Sequence, residues 1–251
     1  MHSEEHILTQ IIATLPEGKP EQICIGLHWT AVVMDVDGAL RCGLASTLRS
    51  DHQHGTDVPQ AGELQEFTGL ALANLVHAES STLVSVGMAA INALMPQQPD
   101  TWQELNAEHV IAAAGAGQAV ALVGHFPFVE RLRERVGQLT VLELNPRPGD
   151  VPSSMAAEVI PQAAVVAITG MSLLNRTFDQ LLSLCNPQAQ VILLGPSVPL
   201  SPLLFERGVD ILSGSIVNNI DSVLRVVAQG GNFRQVHRAG VRLVTISQAE
   251  G

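Results

Sequence analysis

Apolar and polar positions follow two different rhythms along the 251-residue chain. Near the start, Ile7, Leu8, Ile11, Ile12 and Leu15 fall on one face of an amphipathic helix, with Ser3 placed to cap it and Pro16 to stop it. Short β runs follow at 22–26, 30–36 and 40–46. Asp37-Gly38 between the last two is the pair that supplies positive φ, so these runs form a hairpin. The polar stretch 51–57 reads as loop. Leu64, Phe67, Ala71, Leu75 and Ala78 keep a core spacing that predicts a helix over 62–78, and a second is predicted over 82–95, ended by Pro96 and Pro99. Sheet first and helices afterwards describe a small α+β domain.

From residue 113 the rhythm alternates instead. Continuous apolar runs at 119–123, 140–144, 164–168, 190–194 and 209–212 are separated by helical patterns at 127–136, 153–159, 172–184, 201–207 and 218–228. Buried apolar strands joined by amphipathic helices are the signature of a parallel sheet covered on both faces. In the fourth helical pattern Ser201 is a hydroxyl N-cap, Pro202 sits at N1, and Gly208 is placed for a left-handed C-cap. The fold class is therefore α/β: a small α+β domain over 1–112 followed by a Rossmann-like parallel-sheet domain over 113–251.

Composition narrows the function. The chain is 46% apolar and 15% charged, enough for a sizeable core and too ordered in pattern for a disordered chain or a coiled coil. Thirteen Lys and Arg face twenty-four Asp and Glu, giving −11, and Lys19 is the sole lysine. That sign argues against nucleic acid as a partner. The excess is local, since residues 1–112 hold three cations and fourteen carboxylates while 113–251 hold ten of each. The acidic start lacks the basic region of a secretory signal, and no stretch approaches the roughly 18 apolar residues of a spanning helix. Cys24, Cys42 and Cys185 are odd in number with no C-x-x-C, so neither a disulfide framework nor a thiolate zinc site is suggested. The expected address is cytoplasmic, with no membrane partner, and a homo-oligomer is left open.

In an open parallel sheet, ligands bind beyond the carboxyl ends of the strands. Those ends read Gly124-His125, Glu143-Leu144-Asn145, Thr169-Gly170, Gly195-Pro196-Ser197 and Ser213-Gly214-Ser215. Glycine there lets backbone approach a ligand, although turn geometry and capping ask for the same residues. His125 is the sharpest candidate, as a metal ligand or general base, with a capping or packing histidine as the alternative. Glu143, nineteen residues after Gly124, invites comparison with the ribose-binding acid of a dinucleotide fold. However, the fingerprint glycines are missing from Gly124-His125-Phe126-Pro127-Phe128, and no P-loop lysine exists. His52 and His54 with Asp51 and Asp57 have the ligand types for a transition metal, as do Asp35 and Asp37, but a solvated loop and a turn explain them equally well. Asn92 lies on the second helix of the first domain among small residues, where close helix packing or a domain interface would each fit.

Several segments recur together: Gly43-Leu44-Ala45-Ser46-Thr47, 87–93, Gly124-His125-Phe126-Pro127-Phe128, Glu143-Leu144-Asn145-Pro146, Ile168-Thr169-Gly170 with Leu174-Asn175, Leu194-Gly195-Pro196-Ser197 and 208–214. In that order they resemble the putative heavy-metal chelation family, whose members pair an enolase N-terminal-like domain with a Rossmann-like domain. The resemblance implies a ligand site in the cleft between the domains and a link to metal or metal-chelate handling. It places ligand contacts at Asn92, Gly124, Asn145, Thr169, Gly170, Asn175, Gly195 and Ser197, with His125 and Glu143 as the catalytic or metal-ligating pair. One imidazole and one carboxylate are too few for a tight protein-only site, so a transition metal ion held partly by a small chelating ligand fits better. A nucleotide- or adenosylmethionine-dependent transferase on the same scaffold is the alternative, and a non-catalytic interaction protein using its acidic first half is a third reading.

Overall fold

The structure is a computed structural model that describes residues 6–48 and 58–248. Ser3 and the His52-Gln53-His54 stretch lie outside the described residues. The chain divides into two compact units. Unit 1 comprises Met1–Thr101, Pro196–Leu203 and Gly214–Leu243; unit 2 comprises Trp102–Gly195, Leu204–Ser213 and Val244–Gly251. No single cut of the chain yields this division, because both units take up later segments.

Unit 1 begins with α1 (Ile7–Ala13), which buries Ile7, Leu8, Ile11 and Ile12 as its periodicity requires. Its cap is His6, whose Nδ1 accepts the Leu8 N–H at 3.3 Å, so the helix starts later than a cap at Ser3 would place it. Three antiparallel strands follow, β1 (Lys19–Ile25), β2 (Trp29–Val36) and β3 (Ala39–Ser46). Asp37 and Gly38 close the β2–β3 hairpin with φ of 54° and 80°, the doubly positive turn that matches strand twist. The helix expected over 62–78 is interrupted. Phe67 and Thr68 are extended, and Thr68 Oγ1 accepts the Ala71 N–H to start α2 (Gly69–Asn74) afresh between two 3₁₀ turns. The hydroxyl cap won over the apolar spacing.

Next comes α3 (Ser81–Leu94), buried along most of its length. It lies close against β3: a Cβ on Gly43 would sit 1.9 Å from the Ala89 carbonyl oxygen and 2.3 Å from the Ala93 nitrogen. Only glycine permits that approach.

Unit 2 supplies α4 (Ala107–Ala114), β4 (Ala119–Val123), α5 (Val129–Arg133), β5 (Gln138–Glu143), β6 (Val151–Pro152), α6 (Ala156–Val159), β7 (Val165–Thr169), α7 (Met171–Leu174), α8 (Phe178–Ser183), β8 (Gln190–Leu194) and α9 (Leu203–Glu206). Strand β9 (Ile211–Val217) follows. With β10 (Val241–Ser247) at one edge, the seven-stranded sheet has the order β10-β9-β8-β7-β4-β5-β6, and the pairs from β9 to β6 are parallel. Its strands carry near-continuous apolar sequence because they are covered on both faces; Leu122, Val141, Ala167, Ile192, Ile111 and Leu132 form part of one fully buried cluster. Each such Leu, Ile or Val side chain contributes about 1.5–3 kcal/mol when removed from water. Gly208 takes φ 97° two residues past α9, the expected left-handed C-cap.

Two expected helices differ in detail. Pro127 is not at N1 of α5; it sits in the turn in which the Val129 N–H donates to the Phe126 carbonyl. The run over 172–184 breaks at Arg176, which adopts φ 61°, while Asn175 Oδ1 accepts the Thr177 N–H and hydroxyl. An Asx-type turn has replaced a helical turn there.

The chain then forms α10 (Ile220–Ala228), α11 (Phe233–Gly240) and β10 (Val241–Ser247). Asn232 and Gln235 build a full capping box for α11. Val223, Leu224, Val227 and Val236 join Ala31, Val33, Cys42 and Leu44 in one cluster. By the two-residue alternation of a strand, Cys42 and Leu44 face α10 while Gly43 faces α3. The small sheet is therefore sandwiched, and residues far along the chain complete the first unit. The Asn218 N–H bonds the Gly240 carbonyl where β9 ends and β10 starts, the juxtaposition of an antiparallel pair. The architecture is mixed α/β, with a small antiparallel sheet and a larger, mostly parallel one. Among the described residues no helix is long and apolar enough to cross a membrane.

Candidate functional site

Strand β4 is flanked by β5 on one side and β7 on the other, so the chain reverses its direction of sheet growth there. A crevice outside the carboxyl ends at such a reversal is where open α/β sheets bind ligands. The turns after β5, β4, β7 and β8 form one continuous row. The Glu143 Oε2 accepts the backbone N–H of His125 at 2.8 Å, tying the end of β5 to that of β4. Gly124 takes φ 99°, and a Cβ there would come within 3.2 Å of the Thr169 side chain at the end of β7. The Gly170 N–H donates to the Leu194 carbonyl at 2.7 Å, and Gly195 takes φ 119° with its Cβ direction 3.9 Å from the Gly170 nitrogen. Six of the residues expected at the site (Gly124, His125, Glu143, Thr169, Gly170 and Gly195) thus adjoin one another in unit 2.

Glu143 is more committed than its sequence position suggests. Its Oε1 accepts the Leu144 N–H at 2.8 Å while Oε2 holds His125. Charge-assisted bonds to two backbone donors make it the brace of the turn. Thr169 Oγ1 accepts the Met171 N–H at 3.3 Å, and the Ser172 hydroxyl donates back to the Thr169 carbonyl at 2.7 Å.

Asn145 is exposed beyond β5, and Asn175 is exposed with its carbonyl oxygen engaged by Thr177. Asn92 and Ser197 belong to unit 1. Asn92 donates to the carbonyls of Leu44 at 2.9 Å and Pro196 at 3.4 Å. The Ser197 hydroxyl accepts the Ser46 N–H at 2.9 Å and is 2% exposed. Both fasten the 196–203 segment to β3 and α3. Asp35 Oδ1 accepts the Gly38 N–H, so the hairpin turn explains it.

One residue escaped sequence reasoning. Asp150 places Oδ2 at 2.8 Å and Oδ1 at 3.1 Å from His125 Nδ1, and its side chain is 1% exposed against 16% for His125. Residues 147–150 form a tight turn in which the Asp150 N–H bonds the Arg147 carbonyl, with Pro148 second and Gly149 third at φ 91°. The Asp150 Oδ2 also accepts the Arg147 N–H at 3.0 Å. Arg133 bridges the Leu139 and Gly149 carbonyls and pins the turn to β5. Strand β6 starts at the level where β5 ends, Leu142 opposite Val151, so the seven-residue connection needs no crossover and leaves Asp150 at the carboxyl ends. Burial pulls the Asp150 carboxyl upward, but the Arg147 N–H, the His125 ring and the nearby Arg133 outweigh it and hold it below the usual carboxylate range. The legible signal was the Pro-Gly-Asp turn followed directly by a β-branched residue.

Beside His125, Phe126 stacks on Phe128 with ring centroids 5.2 Å apart and an interplanar angle of 14°. No described residue hydrogen-bonds to Nε2 of His125. A tight transition-metal site takes three or four protein donors. Among the described residues no three His, Cys, Asp or Glu side chains are arranged to hold a metal ion, so the described donors do not fit a resident ion held by protein alone.

Comparison with known proteins agrees with this architecture. The profile of the DUF364 family, described as putative heavy-metal chelation, matches residues 107–245, and that of DUF4213, with the same description, matches residues 9–95. A crystal structure of a DUF364-family protein of unknown function from Desulfitobacterium hafniense is 28% identical, with a TM-score of 0.83, covering 96% of this chain and 98% of its own. Another of unknown function, from Pyrococcus horikoshii, is 20% identical with a TM-score of 0.80, covering 97% of this chain and 98% of its own. No curated protein matches.

Proposed function

The chain belongs to the DUF364 family, the putative heavy-metal chelation family, and we propose that it binds a transition metal as the complex of a small anionic chelator at the carboxyl ends of β4, β5, β7 and β8. The observation that carries this reading is His125 at the reversal of strand order, whose Nε2 has no hydrogen-bond partner and no second and third donor beside it among the described residues. A metal that arrives already chelated needs only one coordination position filled by protein. His125 fills it, while Glu143 braces the turn and keeps a second lone pair on each oxygen for a ligand hydroxyl or water. The glycines at 124, 170 and 195 let the anionic part of the chelate approach the backbone.

The transferase alternative ranks second, because the turn Gly124-His125-Phe126-Pro127-Phe128 lacks the fingerprint glycines that seat a dinucleotide pyrophosphate. A cytoplasmic location is part of the proposal, resting on the unpaired state of Cys24, Cys42 and Cys185.

The test is calorimetric titration of metal-stripped protein with Ni(II), Co(II), Fe(II) and Zn(II), each alone and with citrate. Binding of a metal–citrate complex that exceeds binding of the bare ion and disappears in His125→Ala is expected. Equal affinity for bare and chelated metal, or binding indifferent to His125→Ala, overturns the reading.

A further inference from the structure

His125 and Asp150 are linked through the turn that Arg133 pins, and the chemistry of that link settles which ring nitrogen is free. An ionised carboxylate accepts hydrogen bonds and donates none. Both Asp150 oxygens face Nδ1, at 2.8 and 3.1 Å, so the ring must present a proton there. The imidazole of histidine in water favours the opposite arrangement, with the proton on Nε2 and the lone pair on Nδ1. Something has to reverse that preference before Nε2 can coordinate anything.

We propose that Asp150 is the positioning residue of the site: it holds His125 in the Nδ1–H form and fixes the ring plane, so that the Nε2 lone pair points out as the donor to an incoming ligand. The inference rests on the proposed function for what the ligand is, but not for the state of the ring. A carboxylate behind a coordinating histidine orients the ring and raises its basicity. The carboxylate is itself held by the Arg147 N–H on Oδ2, and the turn that carries it is pinned by Arg133 across the Leu139 and Gly149 carbonyls. At 1% side-chain exposure, water does not compete for it. Glu143 fixes the backbone of His125 and Asp150 fixes its side chain, so one residue is held at both ends by two carboxylates with separate tasks.

Nitrogen-15 labelling of histidine with long-range proton–nitrogen correlation at pH 8 reads the ring directly in the unmodified protein, with the His125 signals assigned by their loss in His125→Gln. The expected pattern is a protonated Nδ1 and an unprotonated Nε2. A proton on Nε2 overturns the proposal. In Asp150→Ala, shown folded by circular dichroism, the proton moves to Nε2 and the affinity for Ni(II)–citrate falls by about 10- to 100-fold. An unchanged ring state in that variant also overturns it. Asp150→Asn keeps an acceptor oxygen for the Arg147 N–H and serves if the alanine variant does not fold; there too, an unchanged ring state and unchanged affinity together overturn the positioning role. Failure of the wild type to bind Ni(II)–citrate counts against the proposed function alone, because the ring measurement still decides the role of Asp150.

Discussion

The Glu143 carboxylate grips the backbone N–H of His125 from the neighbouring strand at 2.8 Å, and its other oxygen grips the Leu144 N–H at the same distance. A carboxylate used this way is part of the scaffold. Glu143→Gln replaces one acceptor with an NH₂ group that faces a backbone donor. The variant should lose about 1–3 kcal/mol of unfolding free energy in a denaturant titration. A loss within error would mean that the turn is held by other bonds.

Unit 1 makes a sharper steric demand. Gly43→Ala would drive a methyl group into the backbone of α3 at Ala89 and Ala93, which cannot yield as a side chain can. A loss of at least about 3 kcal/mol is expected. Gly38→Ala is the control: it has φ 80° but nothing within 4 Å, and should cost only about 1–2 kcal/mol. Thermal or urea unfolding of the pair separates close packing from backbone conformation.

In unit 2, Arg131 donates to both oxygens of the buried Glu108, at 3.0 and 2.6 Å. These bonds hold the Glu108 carboxyl below the usual range against the upward pull of burial, with Arg135 and His109 assisting. A carboxyl lowered on folding stabilises fully above its unfolded value near 4.5, and the contribution is lost as pH falls through the folded value. Arg131→Met should therefore lower stability at pH 7, modestly because the guanidinium is largely exposed. The gap from the wild type should narrow as pH drops below about 4.5. A gap constant from pH 7 to pH 3 would show that the pair contributes through packing alone.

How much of this was readable beforehand depended on the range of the interaction concerned. The hairpin at Asp37-Gly38 and the cap at Gly208 are local backbone requirements, and each is written in one or two residues. The parallel strands were visible because burial on both faces leaves unbroken apolar runs. The break at Arg176 had no glycine or proline to announce it; Asn175 captured Thr177 in a turn that competes with the helix. The α11 capping box, Asn232 to Gln235, was a signal in plain view that the short helix behind it made easy to pass over. The covering of the small sheet by Val223, Leu224 and Val227 depends on long-range packing that periodicity cannot express. At the candidate site, strand ends located Gly124, His125, Glu143, Thr169, Gly170 and Gly195 because topology alone brings them together. Asp150 reached His125 only through the β5–β6 register and the Arg133 clamp, neither of which has a sequence pattern.

The most direct measurement is a crystal of the protein soaked with Ni(II)–citrate and recorded at the nickel edge. One anomalous peak is expected about 2.1 Å from Nε2 of His125, with the remaining positions filled by citrate oxygens and water. A peak bound elsewhere, or an Nε2 left unligated while citrate and nickel occupy another surface, would contradict the reading.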